Sequence, residues 1–298
     1  MSRAALALAL GALVTSAPLA LAQEKTTPLA GAPTASSSPS PSPSPSPSPS
    51  SSSSPSPSPS PSPAPAPAPA ASWCAPDLTT LPGGVCAFTP TKEAPGPRTL
   101  VIFLHGVIQP DSGWQWAQQR GAARAGSRHG FAVLMPRGRR GIGPKTMEDW
   151  WTWPTAVAAQ KGNEDALVAE WDAARAELER RAGRPFERVF VFGFSNGAYY
   201  ATSLALRGRL PVQGYAVFAG GAGAKYLEQA GAKTKPRVPL FVAWGMKDSA
   251  HRDQVALARM LKRLGWPSES MGSKRAGHAM MDAQVEAAVR FLGKRPRR

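Results

Sequence analysis

The sequence predicts an α/β protein built on a doubly wound, parallel sheet. Short apolar runs rich in branched residues alternate along the chain with longer segments that have helical spacing. The first run, Thr99–Leu104, reads TLVIFL and is apolar after its first residue, as in a strand buried on both faces. Strands that alternate with helices form parallel sheets, whose functional sites lie beyond the carboxyl ends of the strands.

The predicted elements begin at Thr99. Strands are predicted at 99–104, 131–135, 189–194, 215–219 and 240–244, and helices at 114–129, 165–181, 198–207, 249–264 and 281–292. The apolar side chains of the second helix that share one face are Leu167, Trp171, Ala174 and Leu178. Glycines 130, 183 and 265 end three of the helices. Ser249 or Asp248 is expected to cap the start of the helix at 249–264.

Residues 1–22 have the features of a secretory signal peptide. The segment 4–14 contains only Ala, Leu, Gly and Val, and Ala20-Leu21-Ala22 matches an A-x-A cleavage site. An uncleaved membrane anchor is the alternative, although the apolar run is short for a span. We therefore expect a protein that is secreted to the extracellular space or the periplasm.

Residues 23–71 are expected to form a disordered linker, followed by a folded domain at 72–298. From residue 33 onward the linker is nearly all Ser, Pro, Thr and Ala. Proline lacks an N–H and fixes φ, and no large apolar side chain is present to be buried, so no helix, sheet or core can form. The sequence therefore predicts a stiff, extended spacer.

The positive charge of the chain falls almost entirely on the predicted folded domain. The chain has 35 Lys and Arg against 19 Asp and Glu, a formal net charge of +16. The basic residues are scattered and accompany no nucleic-acid motif, so we expect no nucleic-acid partner and only weak attraction to an anionic envelope. No apolar run in 72–298 reaches the roughly 20 residues of a spanning helix, so no membrane span is expected in the mature chain.

Two cysteines, Cys74 and Cys86, lie at the start of the predicted folded domain. Secretion permits a disulfide, which would add roughly 3 kcal/mol of stability by closing a short loop. A zinc site is not expected, because two cysteines without a nearby histidine supply half of a zinc shell. No metal or other cofactor is predicted.

Ser195 lies in the pentapeptide Gly193-Phe194-Ser195-Asn196-Gly197, between a buried strand and a helix. A serine in that position sits on a sharp turn with its hydroxyl exposed above the sheet, and the two glycines avoid collisions with neighbouring backbone. The alternative is a serine that merely caps the helix. The pattern favours Ser195 as a nucleophile.

A serine hydroxyl needs an adjacent base, and the chain has four histidines. His251 and His278 alone follow Ser195, as the base does in the chain order Ser, acid, His. His278 lies in a glycine-hinged loop before the last helix and is the predicted base. His251 begins a helix and fits a capping role.

Asp248 is the predicted acid that orients the imidazole. It follows the strand at 240–244 through a short turn, and it lies between Ser195 and His278 in the chain. Helix capping is the competing role for Asp248. Asp253 is the alternative acid, but it lies within a predicted helix.

Two backbone N–H groups are candidates to bind the negative oxygen that forms during acyl transfer. Asn196 follows the predicted nucleophile, and Val107 belongs to the turn His105-Gly106-Val107 after the first strand. His105 itself is expected to be structural.

These motifs together resemble the α/β-hydrolase superfamily, and within it the secreted polyhydroxybutyrate depolymerase and feruloyl/acetylxylan esterase group. The segments that carry the resemblance are Leu104-His105-Gly106-Val107-Ile108-Gln109, Gly193-Phe194-Ser195-Asn196-Gly197, Trp244-Gly245-Met246-Lys247-Asp248 and Gly277-His278. The resemblance implies a mostly parallel, eight-stranded sheet with helices on both faces. It also implies metal-free ester hydrolysis with Ser195 as nucleophile, Asp248 as acid and His278 as base. Many members have Cys where this sequence has Val107.

Tryptophans follow the first and second predicted strands and are candidates to line a cleft that accepts a sugar or a phenolic ring. Trp114 and Trp151 are the predicted pocket residues, and ordinary packing is the alternative for each. The sequence as a whole predicts a secreted serine esterase that acts on a small or polymeric ester. A serine peptidase of the same fold and a non-catalytic glycan-binding protein are the alternatives.

Overall fold

The computed structural model describes residues 72–294, without residues 144 and 223. The predicted signal peptide at 1–22 and the predicted linker at 23–71 lie outside these described residues. Within them, the strands form one eight-stranded sheet in the order β1-β2-β4-β3-β5-β6-β7-β8. The strands are β1 Thr79–Thr80, β2 Cys86–Phe88, β3 Thr99–Leu104, β4 Ala132–Met135, β5 Arg188–Phe194, β6 Gly214–Phe218, β7 Leu240–Gly245 and β8 Ser268–Ser273. The helices are α1 Trp114–His129, α2 Val157–Ala182, α3 Asn196–Leu206, α4 Lys225–Lys233, α5 His251–Arg263 and α6 Asp282–Gly293.

The sheet is mostly parallel. All strands from β3 to β8 pair in parallel, whereas β2 pairs antiparallel with both β1 and β4. The carboxyl ends of six strands therefore lie at one edge of the sheet. This arrangement confirms the predicted mostly parallel, eight-stranded sheet.

Helices cover both faces of this sheet. Along β3, Leu100, Ile102 and Leu104 belong to one apolar core, while Val101 and Phe103 belong to the other. The first core also contains buried side chains of α2, α3, α4 and α5, and the second contains side chains of α1 and α6. Burial on both faces explains why the strand sequences are continuous apolar runs instead of alternating ones.

Helix α2 begins at Val157, earlier than the predicted start at residue 165. The inward positions of its first turns are polar, so the apolar spacing that predicts the helix is missing there. Gln160 is buried and donates a 3.0 Å hydrogen bond to Oγ of Ser203. Glu164 is buried against Arg207 and Arg209, which both bind its carboxylate. Hydrogen bonds replace apolar contacts on this part of the helix.

Four elements are not predicted from the sequence, namely β1, β2, α4 and β8. β1 and β2 are only a few residues long and form the antiparallel edge of the sheet. β8 reads SESMGS and has no buried position, because it lies at the opposite edge of the sheet. No helix among the described residues has the length and apolar character needed to cross a bilayer.

Candidate active site

Ser195 occupies a strained turn between β5 and α3. Its φ of 52° and ψ of −118° are unfavourable for a residue with a side chain. A Cβ atom on Gly193 would lie 2.4 Å from the carbonyl oxygen of Gly197, and one on Gly197 would lie 2.1 Å from the carbonyl oxygen of Leu104. Both glycines are therefore required by close backbone approach, as the sequence predicts for this turn.

Ser195, His278 and Asp248 form a continuous chain of hydrogen bonds. Oγ of Ser195 lies 2.8 Å from Nε2 of His278, and Nδ1 of His278 lies 2.8 Å from Oδ2 of Asp248. Because a carboxylate oxygen accepts, Nδ1 carries the proton and Nε2 is left to accept from the serine hydroxyl. The three side chains come from residues far apart in the sequence and meet beyond the carboxyl edge of the sheet.

Asp248 is held on both of its carboxylate oxygens. Oδ2 contacts His278, while Oδ1 accepts a 2.9 Å hydrogen bond from the backbone N–H of Ala250. Helix α5 begins at His251, and Ala250 is its N-cap residue. The sequence prediction that Ser249 or Asp248 caps this helix is therefore wrong. The side chain of Asp248 is 1% exposed, which protects its bond to the imidazole from water.

Gly245, at the end of β7, is a requirement that the sequence analysis overlooked. A Cβ atom there would lie 2.2 Å from the carbonyl oxygen of Gly277. The loop that carries His278 therefore packs directly on the backbone at the end of β7. The signal in the sequence for this close approach is a glycine at the end of a predicted strand, shortly before a candidate acid.

The competing histidine and carboxylate have other partners. Nδ1 of His251 lies 2.8 Å from the backbone oxygen of Asp248, so His251 contacts the turn before its own helix. Asp253 accepts a 2.8 Å hydrogen bond from the hydroxyl of Tyr199. The structure therefore brings His278 and Asp248, but neither alternative, into line with Ser195.

His105 is a buried, neutral framework residue. Its Nδ1 donates to the carbonyl oxygen of Gly106, and its Nε2 accepts a 3.0 Å hydrogen bond from the N–H of Gly138. Burial lowers the pKa of His105 to about 4. Its backbone oxygen accepts a 3.1 Å hydrogen bond from the N–H of Gly197, which links the turn after β3 to the serine turn.

The N–H groups of Val107 and Asn196 have no hydrogen-bond acceptor within the described part of the chain. The N–H of Gly106 is different, because it donates a 2.7 Å hydrogen bond to Oε1 of Gln118. A Cβ atom on Gly106 would lie 3.1 Å from Cβ of Ser195, so this turn lies beside the serine. The two N–H groups that the sequence suggests are therefore without an acceptor, one directly after Ser195 in the chain and one in the turn beside it.

The side chain of Asn196 has a role that the sequence analysis overlooked. Its Oδ1 accepts a 2.7 Å hydrogen bond from the backbone N–H of Trp153. The buried indole of Trp153 donates a 2.8 Å hydrogen bond to the backbone oxygen of His105. The segment after β4 is thus tied to both turns that carry the free N–H groups.

The two predicted pocket tryptophans differ in their surroundings. Trp151 lines a cavity of about 190 Å³ together with Trp73, Gln109 and Arg137. Trp114 is the first residue of α1, is 64% exposed and does not line this cavity.

The predicted disulfide is confirmed, with Sγ of Cys74 and Sγ of Cys86 2.12 Å apart. Its position ties the segment that precedes β1 to β2. No group of three or more His, Cys, Asp or Glu side chains in residues 72–294, apart from the two undescribed positions, is arranged to hold a metal ion.

Comparison with known proteins adds a family to this geometry. Residues 88–295 match the protein family described as phospholipase/carboxylesterase. Among solved structures, esterase PE8 is 18% identical with a TM-score of 0.50, over 72% of this chain and 98% of that one. An uncharacterised protein from Bacillus cereus ATCC 10987 is 16% identical with a TM-score of 0.50, over 67% of this chain and 61% of that one.

Acyl-protein thioesterase 2 of Zea mays is 15% identical with a TM-score of 0.48, over 70% of this chain and 97% of that one. At these identities the structural likeness concerns the fold alone. No curated protein matches the chain.

Proposed function

This chain belongs to the phospholipase/carboxylesterase family and has an α/β-hydrolase fold, and on that premise we propose that it is a serine hydrolase that cleaves carboxylic esters through an acyl-enzyme. The single observation that carries the proposal is the chain of two 2.8 Å hydrogen bonds that links Ser195, His278 and Asp248. A serine hydroxyl becomes a useful nucleophile when a neutral imidazole is positioned to take its proton.

In the proposed first half-reaction, Oγ of Ser195 attacks the ester carbonyl carbon while Nε2 of His278 takes the hydroxyl proton. Asp248 stabilises the imidazolium that results, through the hydrogen bond to Nδ1. The negative carbonyl oxygen of the tetrahedral intermediate accepts hydrogen bonds from the N–H groups of Val107 and Asn196. When the intermediate collapses, His278 donates the proton to the leaving alkoxide, and the acyl group stays on Ser195.

In the second half-reaction, a water molecule attacks the acyl carbon and gives its proton to His278. The new tetrahedral intermediate releases the carboxylic acid, and the proton returns to Oγ of Ser195. No residue outside this set has to change its protonation state.

The backbone conformation of Ser195 favours an enzyme over the non-catalytic glycan-binding alternative. A non-glycine residue in a sparsely populated conformation costs of order 1–3 kcal/mol and persists where function requires it. A binding protein needs neither this strain nor an imidazole at hydrogen-bond distance from the hydroxyl. The peptidase alternative uses the same side chains, and the family match favours the ester.

We further propose that the enzyme is secreted and acts on a small or polymeric ester, in the manner of the depolymerase and feruloyl/acetylxylan esterase group that its motifs resemble. The disulfide between Cys74 and Cys86 supports an oxidising compartment. The formal net charge of +16 supports a weak attraction to an anionic envelope.

Hydrolysis of p-nitrophenyl butyrate tests the proposal. The wild type is expected to hydrolyse this ester, and His278→Ala to lose turnover by a factor of at least about 10³. His251→Ala is the matched control and keeps most of the activity, because the His251 ring forms its hydrogen bond with the backbone oxygen of Asp248 and not with Ser195. The reverse result would identify His251 as the base. A panel of acetyl-sugar, feruloyl and hydroxyalkanoate esters then defines the substrate class.

A further inference from the structure

A small cavity adjoins the turn that carries the Val107 N–H. It has a volume of about 190 Å³, and its walls include Gln109, Trp151 and Arg137. Ile108 and Trp151 exchange two backbone hydrogen bonds of 3.1 and 2.9 Å, so this wall starts at the residue after Val107. Because consecutive Cα atoms are about 3.8 Å apart, the backbone at the start of this wall lies one residue away from Val107, a proposed donor to the oxyanion.

Arg137 is a partly buried cation without a carboxylate partner among the described residues. Its guanidinium lies 4.4 Å from the ring centroid of Trp151 and 5.6 Å from that of Trp73. Two arginines that follow it closely in the sequence are paired, since Arg139 binds Glu170 and Arg140 binds Asp149. Stacking on aromatic rings uses the faces of a guanidinium and leaves the N–H groups at its edge free to donate.

A second polar group in this cavity wall also lacks a partner. Gln115 is 7% exposed, and its Oε1 atom is buried without a hydrogen-bond donor in the described residues. A buried amide that is unpaired costs free energy of about 1–3 kcal/mol unless a ligand or water pairs with it.

The charge around the cavity suits a single negative charge. Arg140 is already paired with Asp149, so Arg137 is the free cation among the lining residues that the structure describes. Asp111 also lines the cavity, and its carboxylate repels a ligand with two negative charges more strongly than a ligand with one. A guanidinium matches the two oxygens of a carboxylate with two parallel hydrogen bonds.

We propose that this cavity binds a carboxylate carried by the ester substrate, with Arg137 as the residue that recognises it. This inference rests on the proposed esterase function and adds a substrate class, namely esters that carry a free carboxylate near the scissile bond. The walls of the cavity depend on the N-terminal segment, because Gln119 binds the backbone oxygen of Trp73 at 3.0 Å and the N–H of Ala75 at 2.9 Å.

Matched pairs of esters test the proposal and locate the carboxylate. The acyl arm compares p-nitrophenyl hemiglutarate with p-nitrophenyl pentanoate, and the alcohol arm compares 3-carboxyphenyl butyrate with 3-carbamoylphenyl butyrate. In at least one arm, Arg137→Leu is expected to lower kcat/KM for the charged ester by about 10- to 100-fold. The neutral ester of the same arm is expected to change by less than about threefold.

Three further variants separate recognition from structure. Arg137→Lys keeps the charge but loses the two-pronged geometry, so its loss falls between wild type and Arg137→Leu. Asp111→Asn removes the opposing charge and raises kcat/KM for the charged ester about two- to fivefold. Arg263→Leu, which breaks an exposed ion pair with Glu228 outside the cavity lining, is the matched control with little effect. Equal losses on charged and neutral esters in both arms for Arg137→Leu would overturn the proposal.

A binding measurement keeps this inference separate from the proposed chemistry. Calorimetric titration of Ser195→Ala with benzoate is expected to show saturable binding, which benzamide does not reproduce and Arg137→Leu abolishes. If wild type hydrolyses no ester but Ser195→Ala binds benzoate through Arg137, the esterase proposal fails and the carboxylate site stands. If benzoate and benzamide behave alike, or if neither binds, the carboxylate site is refuted whatever the activity.

Discussion

The backbone N–H of Trp153 donates a 2.7 Å hydrogen bond to Oδ1 of Asn196, the residue directly after Ser195. This bond joins the segment that lines the Arg137 cavity to the first residue of α3. Asn196 is also the residue whose backbone N–H has no acceptor among the described residues. Asn196 therefore has two proposed roles. Its backbone N–H is a donor to the oxyanion, and its side-chain oxygen holds the segment that contains Trp153.

Asn196→Ala is expected to lower kcat for a p-nitrophenyl ester about two- to tenfold, because it removes one buried hydrogen bond and loosens a donor of the oxyanion site. Steady-state kinetics measure the change. Asn163→Ala is the matched control, since that asparagine donates to a backbone oxygen within α2, outside the hydrogen-bonded site. An unchanged kcat in Asn196→Ala would show that the side chain is dispensable.

Asp248→Asn is expected to reduce kcat by about 10³- to 10⁴-fold, because an amide in place of the carboxylate disfavours the tautomer that leaves Nε2 free. Asp253→Asn loses only a hydrogen bond from Tyr199 and is expected to stay within a few-fold of wild type. Comparison of kcat for the two variants identifies the acid. A larger loss in Asp253→Asn would contradict the assignment.

Gly197→Ala is expected to destabilise the fold by several kcal/mol, because the added Cβ would meet the backbone oxygen of Leu104 at 2.1 Å. Gly162→Ala adds the same atom inside α2, where nothing lies within 4 Å of it. There the change is expected to stabilise the protein by about 0.5–1 kcal/mol. Urea unfolding measures both, and equal effects would mean that close approach does not explain the glycine at 197.

The parallel core of the fold is predictable from the sequence, because its strands are buried on both faces and so appear as uninterrupted apolar runs. Helix α1 matches its predicted bounds, since Gly130 ends it in the left-handed conformation. The start of α2 is not predictable in this way, because its inward positions are the polar residues Gln160 and Glu164. These side chains are buried by forming hydrogen bonds, so no apolar spacing marks this part of the helix. The edge strand β8 is not predictable either, because it buries no side chain and so lacks the apolar run of the other parallel strands.

The candidate triad could be predicted because the chain has few histidines and the fold restricts their order. The contacts that support the triad could not, since they depend on how loops pack. The bond from Trp153 to Asn196 and the stacking of Arg137 on Trp151 join residues that no local pattern relates. The approach of Gly245 to Gly277 is of the same kind.

The stability of the protein is expected to fall as the pH drops from about 6.5 to 4. Burial lowers the pKa of His105 to about 4, whereas an unfolded histidine has a pKa of about 6.5. The unfolded chain binds the extra proton in this window, so the free energy of unfolding decreases by about 3 kcal/mol in total. Below pH 4 both states are protonated and the effect is complete.

Burial also lowers the pKa of His129, so this residue too makes the protein less stable as the pH falls. NMR titration is needed to follow the two histidine rings separately. The His105 ring should stay neutral down to about pH 5, because burial disfavours its charged form. A His105 resonance that titrates near the ordinary value for histidine would contradict this account.

Labelling with a fluorophosphonate tests most directly whether Ser195 is an activated nucleophile. Intact-mass spectrometry of the wild type should show one covalent adduct, which peptide mapping assigns to Ser195. The adduct should be absent in Ser195→Ala and should form far more slowly in His278→Ala. A wild type that stays unlabelled, or an adduct that persists in Ser195→Ala, would contradict the account.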